Sequence, residues 1–273
     1  MRTPASSLSL LRPHTLHEAL VMMRDEASVT PIAGCTDVYV GLQFGTLPAR
    51  RFIDLWPIAE LRGIHATPST LRIGALTTFS ELIASPVVRR KLPMLAAASR
   101  EVGGRQIQNR GTLGGNIANA SPAGDSLPVL AAANATIVLQ SADAERRVPF
   151  TAFYTGYRAS VRRADELIAA IEIPRVDGKQ YWRKVGTRRA QAISKVMCAA
   201  VRGPVVTVAL GSVAPTVIRL PRTEQVLSAG GSLEAAQAAL DAEIAPIDDI
   251  RSTAPYRRAV SANLLRDFWQ ATS

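Results

Sequence analysis

The sequence has few of the residues that most often carry catalysis or cross-link a fold. Its two cysteines, Cys35 and Cys198, share no CxxC spacing and provide no disulfide framework. This pattern favours a reducing compartment, so we expect a cytoplasmic protein. The three histidines, His14, His17 and His65, lie near the N-terminus and away from the glycine-rich segments. We therefore predict neither a metal site nor a histidine-based catalytic triad.

Long apolar runs are also missing. No segment approaches the roughly twenty apolar residues that cross a bilayer, so we expect no direct membrane insertion. The opening stretch MRTPASSLSLLRPHTLHEAL lacks a long apolar core followed by a small-residue cleavage site, and no signal peptide is predicted. With 273 residues, the chain can form two or three domains that each bury a core.

Basic residues exceed acidic ones by 32 to 22, which gives a formal net charge of +10. The arginines are scattered in pairs, without a dense basic tract or the interleaved aromatic residues of an RNA-binding sheet. Nucleic-acid binding is therefore not predicted. An acidic protein partner or an anionic cofactor explains the charge as well.

The chain changes texture twice, which predicts three units of an α+β protein: 1–60, 61–176 and 177–273. In the first unit, Thr15 to Glu18 forms a capping box for a helix expected to end near Ala27, and VTPIA and RFIDL read as strands. The second unit mixes strands such as TLRIGA, ATIVLQS and ELIAAIEIP with helices, including a long helix over VVRRKLPMLAAASREVG.

The third unit begins at about Asp177 with YWRKVG, ISKVMCAAV, VVTVALGSV and TVIRL, which predict an antiparallel meander. Helices follow: SLEAAQAAL, capped by Ser232, and a last amphipathic segment.

Two nucleotide motifs are absent. There is no GxxxxGK[ST] phosphate loop and no GxGxxG between a strand and a helix. Two glycine-containing turns remain, PIAGCTDV at 31–38 and TLGGN at 112–116. Turns of this kind expose backbone amides that can bind phosphate oxygens, and the hydroxyl of Ser121 and the carboxylate of Asp125 suit ribityl or ribose hydroxyls and a flavin ring edge. Paired glycines are also common in simple turns.

PIAGCTDV, followed some eighty residues later by QIQNRGTLGGNIANASPAGDSLPVL, resembles the FAD-binding subunit of the molybdenum hydroxylases, the xanthine dehydrogenase and carbon monoxide dehydrogenase medium-chain family. The likeness continues through FYTGYR, DELIAAIEIP and YWRKVGTRRAQAISKV and covers nearly the whole chain. It implies a PCMH-type (vanillyl-alcohol-oxidase-like) domain of two α+β subdomains that hold FAD, followed by a C-terminal domain of antiparallel sheet and helices.

The resemblance also implies cofactor contacts. The first turn would wrap the diphosphate, with Pro31, Ile32, Ala33, Gly34, Cys35, Thr36, Asp37 and Val38. The second loop would touch diphosphate and ribityl, with Thr112, Leu113, Gly114, Gly115 and Asn116. Further matches are Val102 as an apolar contact, Asp125 as a cofactor contact, Ile168 against the isoalloxazine and Lys184 as a cation near the ring.

Cys35 departs from the family pattern, because it replaces the second glycine of AGGTD. A positive φ at Cys35 would add strain. The thiol can be read as a small buried filler or as a redox group, and no resolving cysteine lies nearby in the sequence.

The family assigns no catalytic residue to this chain, because the flavin carries its own reactive atom. The implied complex adds a small subunit with two [2Fe-2S] clusters and a large subunit with a molybdenum pterin. Two isolated cysteines cannot ligate such clusters, so they belong to a partner. The expected acceptor is NAD+, and the complex is expected to oxidise a purine, as xanthine dehydrogenase does.

Four alternatives remain open at this point. They are a carbon monoxide dehydrogenase-like subunit, an aromatic or aldehyde hydroxylase subunit with a quinone-type acceptor, a stand-alone flavin oxidase and a basic non-enzymatic interaction protein. A stand-alone oxidase needs its own base, and no histidine or carboxylate pair is placed for one.

Overall fold

The computed structural model describes residues 4–26 and 28–273. The chain begins with a small parallel sheet wrapped by two helices, in the order β1 (Ser9–Leu11), α1 (Leu16–Asp25), β2 (Thr30–Ile32), α2 (Val38–Phe44) and β3 (Arg51–Asp54). The strand order is β1-β3-β2, with parallel pairing throughout. Parallel neighbours need crossover connections, and the helices supply them. Ala27, near which the sequence places the end of α1, lies outside the described residues.

The predicted capping box at α1 forms only in part. The Thr15 hydroxyl accepts from the Glu18 amide at 3.1 Å, as in a capping box. The Glu18 carboxylate, however, accepts from the backbone N–H of His14 at 2.7 Å rather than from that of Thr15.

The second part is an antiparallel sheet of five strands with helices inserted after its second strand. The strand order is β4-β5-β10-β6-β7, and β8 and β9 form a separate pair. The strands are β4 (Ile64–Ala66), β5 (Thr70–Gly74), β6 (Thr136–Gln140), β7 (Glu145–Pro149), β8 (Tyr154–Gly156), β9 (Ala159–Ser160) and β10 (Leu167–Pro174). The inserted helices are α3 (Phe79–Ala84), α4 (Pro86–Lys91), α5 (Pro93–Glu101), α6 (Arg105–Arg110), α7 (Leu113–Asn119) and α8 (Leu127–Ala132).

The prediction of one long helix over VVRRKLPMLAAASREVG is wrong, because the segment forms α4 and α5. The break lies at Leu92, whose φ of −140° and ψ of 60° are not helical. Pro93 explains it, since a proline disfavours the helical conformation of the residue before it and is itself well suited to the first turn of a new helix.

The third part confirms the predicted meander. Strands β11 (Lys179–Val185), β12 (Val196–Arg202), β13 (Thr207–Gly211) and β14 (Ile218–Arg219) pair antiparallel in chain order. Helices α9 (Pro221–Ser228), α10 (Leu233–Glu243) and α11 (Ala254–Ala271) follow, and Ser232 caps α10 as predicted.

The central strand β12 joins the second and third parts of the molecule. Ala199 and Val201 pack into the large core formed by α5, α8 and the five-stranded sheet. Cys198 and Ala200, on the opposite face of the strand, pack against α9, α10 and α11. A strand buried on both faces is apolar throughout, which accounts for the run VMCAAV.

Within residues 4–26 and 28–273, the helices fall short of the length and apolarity that a membrane span requires.

Candidate functional site

A cavity of about 1470 Å³ lies where the three sheets approach one another. Its wall includes both glycine-containing segments, the start of β10 and the loop between β11 and β12. The volume exceeds the roughly 300–1,000 Å³ of most small-molecule pockets, so the cavity can hold an extended ligand such as a dinucleotide.

The first turn, Ala33 to Asp37, connects β2 to α2 and lies open to this cavity. Among the described residues, the backbone N–H groups of Gly34, Cys35, Thr36 and Asp37 donate no hydrogen bond. Unpaired amides on one turn form an anion-binding concavity. The first turn therefore has the donors that a diphosphate needs.

Gly34 and Cys35 shape this turn. A Cβ on Gly34 would meet the Arg110 carbonyl oxygen at 1.6 Å, so glycine is required for the backbones to pass. Arg110 is fixed in turn, because its guanidinium stacks on Trp56 at 3.8 Å from the ring centroid. Cys35 adopts φ of 62°, which confirms that a side chain occupies a left-handed position here.

The Cys35 thiol is half-buried, and burial raises its pKa above the ordinary value. Cys198 is fully buried in the third part of the chain, and burial raises its pKa strongly. A reactive cysteine needs a lowered pKa, so neither thiol has the character of a redox centre.

The second glycine segment is a helix rather than the predicted loop. Residues 113–119 form α7, and the Thr112 side chain caps it by accepting from the Gly115 amide at 3.1 Å. The Leu113 and Gly114 amides donate to Thr77 and Ala75 carbonyls at 3.0 and 2.8 Å. The expectation that these amides are exposed for a phosphate is therefore wrong, because the turn after β5 already uses them.

The glycines of α7 have a different purpose from the predicted one. A Cβ on Gly114 would lie 2.6 Å from the Ala75 Cβ and 2.8 Å from its carbonyl oxygen. Gly114 thus lets α7 pack directly on the β5 turn. A Cβ on Gly115 would lie 2.9 Å from the Thr112 hydroxyl that caps α7 and would meet no other atom within 4 Å.

Asp125 and Lys184 form a buried ion pair at the cavity wall. Asp125 Oδ2 lies 2.9 Å from Lys184 Nζ, and the two side chains are 10% and 5% exposed. Lys184 also donates to the Glu101 carbonyl at 3.1 Å. Burial, opposed by the charge of Lys184 and assisted by the Glu101 carboxylate, raises the pKa of Asp125 to about 7.

Most of the predicted cofactor contacts line the cavity. These are Pro31, Ile32, Ala33, Gly34, Cys35, Thr36, Asp37, Val38, Val102, Thr112, Gly114, Gly115, Asn116, Ser121, Asp125 and Ile168. Leu113 is instead fully buried in the core, and Lys184 stands behind Asp125 rather than on the wall.

The wall also contains residues that the sequence analysis does not single out as contacts. Leu55, Leu61, Leu76 and Leu167 supply apolar surface, and Gly103 and Gly104 follow α5. The adjacent glycines at 103–104 could have been recognised in the sequence as a further turn open to a ligand. The leucines could not, because in the sequence they look like ordinary core positions.

Arg257 on α11 lies beside the cavity and is 3% exposed. It donates to the carbonyls of Lys195 and Ser212 at 2.5 and 2.9 Å and to Asp249 at 2.7 Å. Arg257 therefore holds the loop before β12 close to the loop after β13 at the border of the cavity. No sequence motif marks this role.

Comparison with known proteins agrees with this geometry. Residues 6–176 match the family model described as the FAD binding domain in molybdopterin dehydrogenase, and residues 181–272 match the CO dehydrogenase flavoprotein C-terminal domain. The carbon monoxide dehydrogenase medium chain of Hydrogenophaga pseudoflava is 31% identical over 268 residues, covering 93% of both chains. The putative xanthine dehydrogenase FAD-binding subunit of Escherichia coli K12 is 33% identical over 261 residues, covering 90% of this chain and 89% of the relative.

Among solved structures, a carbon monoxide dehydrogenase from Hydrogenophaga pseudoflava, which lacks the Mo-pyranopterin moiety of its molybdenum cofactor, superimposes with a TM-score of 0.93 at 28% identity. The match covers 100% of this chain and 98% of that one. These comparisons confirm the α+β architecture of a flavin-binding domain followed by a C-terminal domain.

The protein is thus a flavoprotein subunit of an oxidoreductase. It belongs to the family of FAD-binding subunits of molybdenum hydroxylases, and FAD is its cofactor. The residues fit that cofactor: the first turn offers unpaired amides to a diphosphate, and the cavity volume is large enough for a dinucleotide.

Proposed function

We propose that this chain is the electron-exit subunit of a heteromeric molybdenum hydroxylase. Electrons would arrive from [2Fe-2S] clusters of a small partner subunit after a large molybdenum-pterin subunit has oxidised the substrate. They would leave through FAD to an external acceptor. The observation that carries the proposal is the cavity of about 1470 Å³, with unpaired amides at one turn and Asp125, paired with Lys184, in its wall.

In this role the chain binds and orients its cofactor, which supplies the two-electron redox chemistry when bound. The first turn would hold the diphosphate through the amides of Gly34 to Asp37. The apolar wall with Val102, Leu167 and Ile168 would exclude water from the ring systems. The Asn116 side chain would contact the cofactor in a fixed orientation, because its Oδ1 accepts from the Ser126 hydroxyl at 2.7 Å.

The proposed division of the chain follows the sheets. Units 1–60, 61–176 and 177–273 each contain one of the three larger sheets, with strands between 9 and 54, 64 and 174, and 179 and 219. The cavity would then lie where all three units meet.

An anionic dinucleotide is the acceptor that the cavity wall favours. Arg158, Arg162 and Arg251 all contribute to the wall. Arginine pairs well with diphosphates, so those of these side chains that the FAD diphosphate leaves free would support NAD+ as acceptor. A quinone would need no such cations and is the second candidate. Purine oxidation stays the first expectation for the complex. The xanthine dehydrogenase relative supports a purine and the carbon monoxide dehydrogenase relative supports carbon monoxide about equally well.

An exposed apolar patch supports the presence of a partner. Tyr39, Val40 and Phe44 on α2 are 65%, 54% and 61% exposed, and Val40 also belongs to the cavity wall. Exposed apolar side chains grouped on one helix commonly mark a protein interface. We assign this α2 patch to the iron–sulfur subunit, because it would bring that subunit to the edge of the flavin cavity.

The first test is an absorbance titration of the purified chain with FAD, comparing wild type with Gly115→Val. Stoichiometric flavin in the wild type and its loss in the variant would support the site at α7, since the added side chain crowds the Thr112 hydroxyl that caps this helix at the cavity wall. Absence of flavin in the wild type, even with its small partner, would overturn the proposal in favour of a basic interaction protein.

The acceptor is tested separately. The FAD-loaded chain is reduced anaerobically and mixed with NAD+ or with a soluble quinone, and flavin reoxidation is followed by absorbance. Faster reoxidation by NAD+, weakened in Arg158→Ala, would support the dinucleotide. Reoxidation by quinone alone would favour the second candidate.

A further inference from the structure

The Asp125–Lys184 pair changes what a lysine near the flavin can do. The resemblance suggests a standing cation that stabilises negative charge on the reduced ring. In the structure, however, the Lys184 ammonium is already paired with the Asp125 carboxylate at 2.9 Å, and both are buried. With Asp125 ionised, the pair presents no net charge to the cavity. With Asp125 protonated, it presents one positive charge.

The surroundings of Asp125 favour the protonated form. Asp125 Oδ1 is buried without a hydrogen-bond partner among the described residues, whereas Oδ2 has only Lys184. A buried carboxylate usually needs several donors to stay ionised. Burial and the missing donor therefore oppose the charge that Lys184 supports.

The charged groups around Asp125 are few. β11 contributes Lys184, and the end of α5 contributes Glu101, whose negative charge also opposes ionisation. Helices α7 and α8, which flank Asp125 along the chain, carry no ionisable side chain. The segment at Ser212 also lies nearby, because the Ser212 amide donates to the Pro122 carbonyl. The charged group that contacts this segment is Arg257, which donates to the Ser212 carbonyl.

We propose that Asp125 is a redox-linked proton site: it takes up one proton from solvent when two electrons reduce the bound FAD and releases it when they leave. Lys184 is the positioning residue that holds the carboxyl and provides the positive charge once Asp125 is neutral. This inference rests on the proposed function, because it requires FAD in this cavity. The electrons come from the iron–sulfur partner and leave to the acceptor, and the proton is exchanged with water.

The coupling follows from linkage. Negative charge on the reduced cofactor raises the pKa of a nearby carboxyl, and protonation of that carboxyl favours reduction by the same factor. In the FAD-free chain the pKa of Asp125 is about 7, so we expect uptake to begin near neutral pH. Above this pH the midpoint potential of the bound FAD should fall more steeply as pH rises. Each proton taken up per two electrons adds about 30 mV per pH unit to this slope.

The test is the midpoint potential of FAD bound to the full chain, measured from pH 5.5 to 9. Wild type should show the extra slope of about 30 mV per pH unit above neutral pH. Asp125→Asn should lose it, and Asp143→Asn, which changes an exposed carboxylate on the β6–β7 turn, should keep it. Parallel potential–pH lines for wild type and Asp125→Asn would overturn the inference.

Two further variants keep the test decisive if Asp125→Asn does not fold. Glu101→Gln removes a charge that raises the pKa of Asp125, so its extra slope should begin at lower pH. Lys184→Met removes the charge that lowers this pKa, so its onset should move to higher pH. Onsets that stay in place, or move in the opposite directions, would contradict the role of Asp125.

A readout without cofactor separates this inference from the proposed function. Infrared titration of the FAD-free chain should show a buried protonated carboxyl whose signal disappears near pH 7 and is absent from Asp125→Asn. If the chain binds no FAD, the proposed function fails while this signal persists. If it binds FAD but the carboxyl is ionised throughout, only the proton site fails.

Discussion

Gly34 passes so close to Arg110 that a Cβ on the glycine would lie 1.6 Å from the arginine carbonyl oxygen. This contact joins the first turn to the end of α6, immediately before α7, and so sets the distance between the two sides of the cavity. Backbone atoms on both sides cannot rotate away as a side chain could. The contact therefore allows no residue other than glycine.

Gly34→Ala is expected to lower the free energy of unfolding by about 3 kcal/mol, at the high end for overpacking, and to abolish FAD binding. Urea denaturation and flavin absorbance measure the two effects. Gly156→Ala is the matched control, because nothing lies within 4 Å of the added Cβ, and its effect should stay within about 0.5 kcal/mol. Normal flavin content in Gly34→Ala would show that the turn can move.

Cys35 offers a probe of cofactor position. Its thiol is half-buried in the cavity wall with a raised pKa, so alkylation should be slow at pH 7 and faster as pH rises. FAD should protect it. Cys198 is fully buried and should react only after unfolding, which provides an internal control in the same mass spectrum. Equal labelling of Cys35 with and without bound FAD would place the cofactor away from the first turn.

Arg257 is expected to stabilise the third part of the chain strongly. Arg257→Met leaves the Lys195 and Ser212 carbonyls and Asp249 without their shared donor, and losing the hydrogen bonds of a buried guanidinium costs about 3 kcal/mol. Arg258→Met is the control on the same helix. The Arg258–Asp241 pair is 39% and 61% exposed, so its loss should cost less than about 1 kcal/mol. Similar urea midpoints for the two variants would contradict the buried clamp.

The α2 patch is tested through the partner rather than the cofactor. A Tyr39→Ser, Phe44→Ser double variant should bind FAD normally but lose co-purification with the small iron–sulfur subunit, because it removes apolar contact area without altering the cavity wall. Ile250→Ser is the control, since Ile250 is fully exposed elsewhere. Unchanged partner binding by the double variant would assign the patch to another surface contact.

Asp125 also makes the stability of the FAD-free chain depend on pH. Its folded pKa of about 7 lies above the unfolded value of about 3.9, so the folded state keeps a proton that the unfolded state has lost. The contribution of Asp125 to stability therefore falls as pH rises from about 4 to about 7. Compared with wild type, Asp125→Asn should gain stability at pH 8 relative to pH 4 in urea titrations. An equal difference at both pH values would contradict the raised pKa.

Much of the architecture could be predicted from local pattern. The alternation and turn residues from Tyr181 to Leu220 predict the meander, and Ser232 marks the start of α10. The wrong secondary-structure predictions arise where two local sequence signals indicate different structures. Pro93 interrupts an otherwise helical pattern, and the paired glycines at 114–115 look like a loop although Thr112 caps a helix there.

The cavity wall is a different matter. Residues that share a turn, such as Gly34 and Cys35, can be recognised together from the sequence. Arg257 cannot be recognised in this way, because in the sequence it looks like any exposed arginine of an amphipathic helix. Only the structure shows that it is buried and donates to the carbonyls of two distant loops. The leucines of the wall are likewise indistinguishable from core residues.

The sequence by itself determined the family, the cofactor and the two glycine segments, because these depend on residue types at short spacing and on a motif pattern that runs along the chain. Only the tertiary structure decided which amides are open. It shows that the first turn keeps its donors unpaired, whereas the Gly114 amide is used by Ala75. It also brings Lys184 to Asp125 across 59 positions of chain, so a presumed free cation is half of a buried pair. Hydrogen bonding and burial depend on these long-range neighbours, which local pattern does not specify.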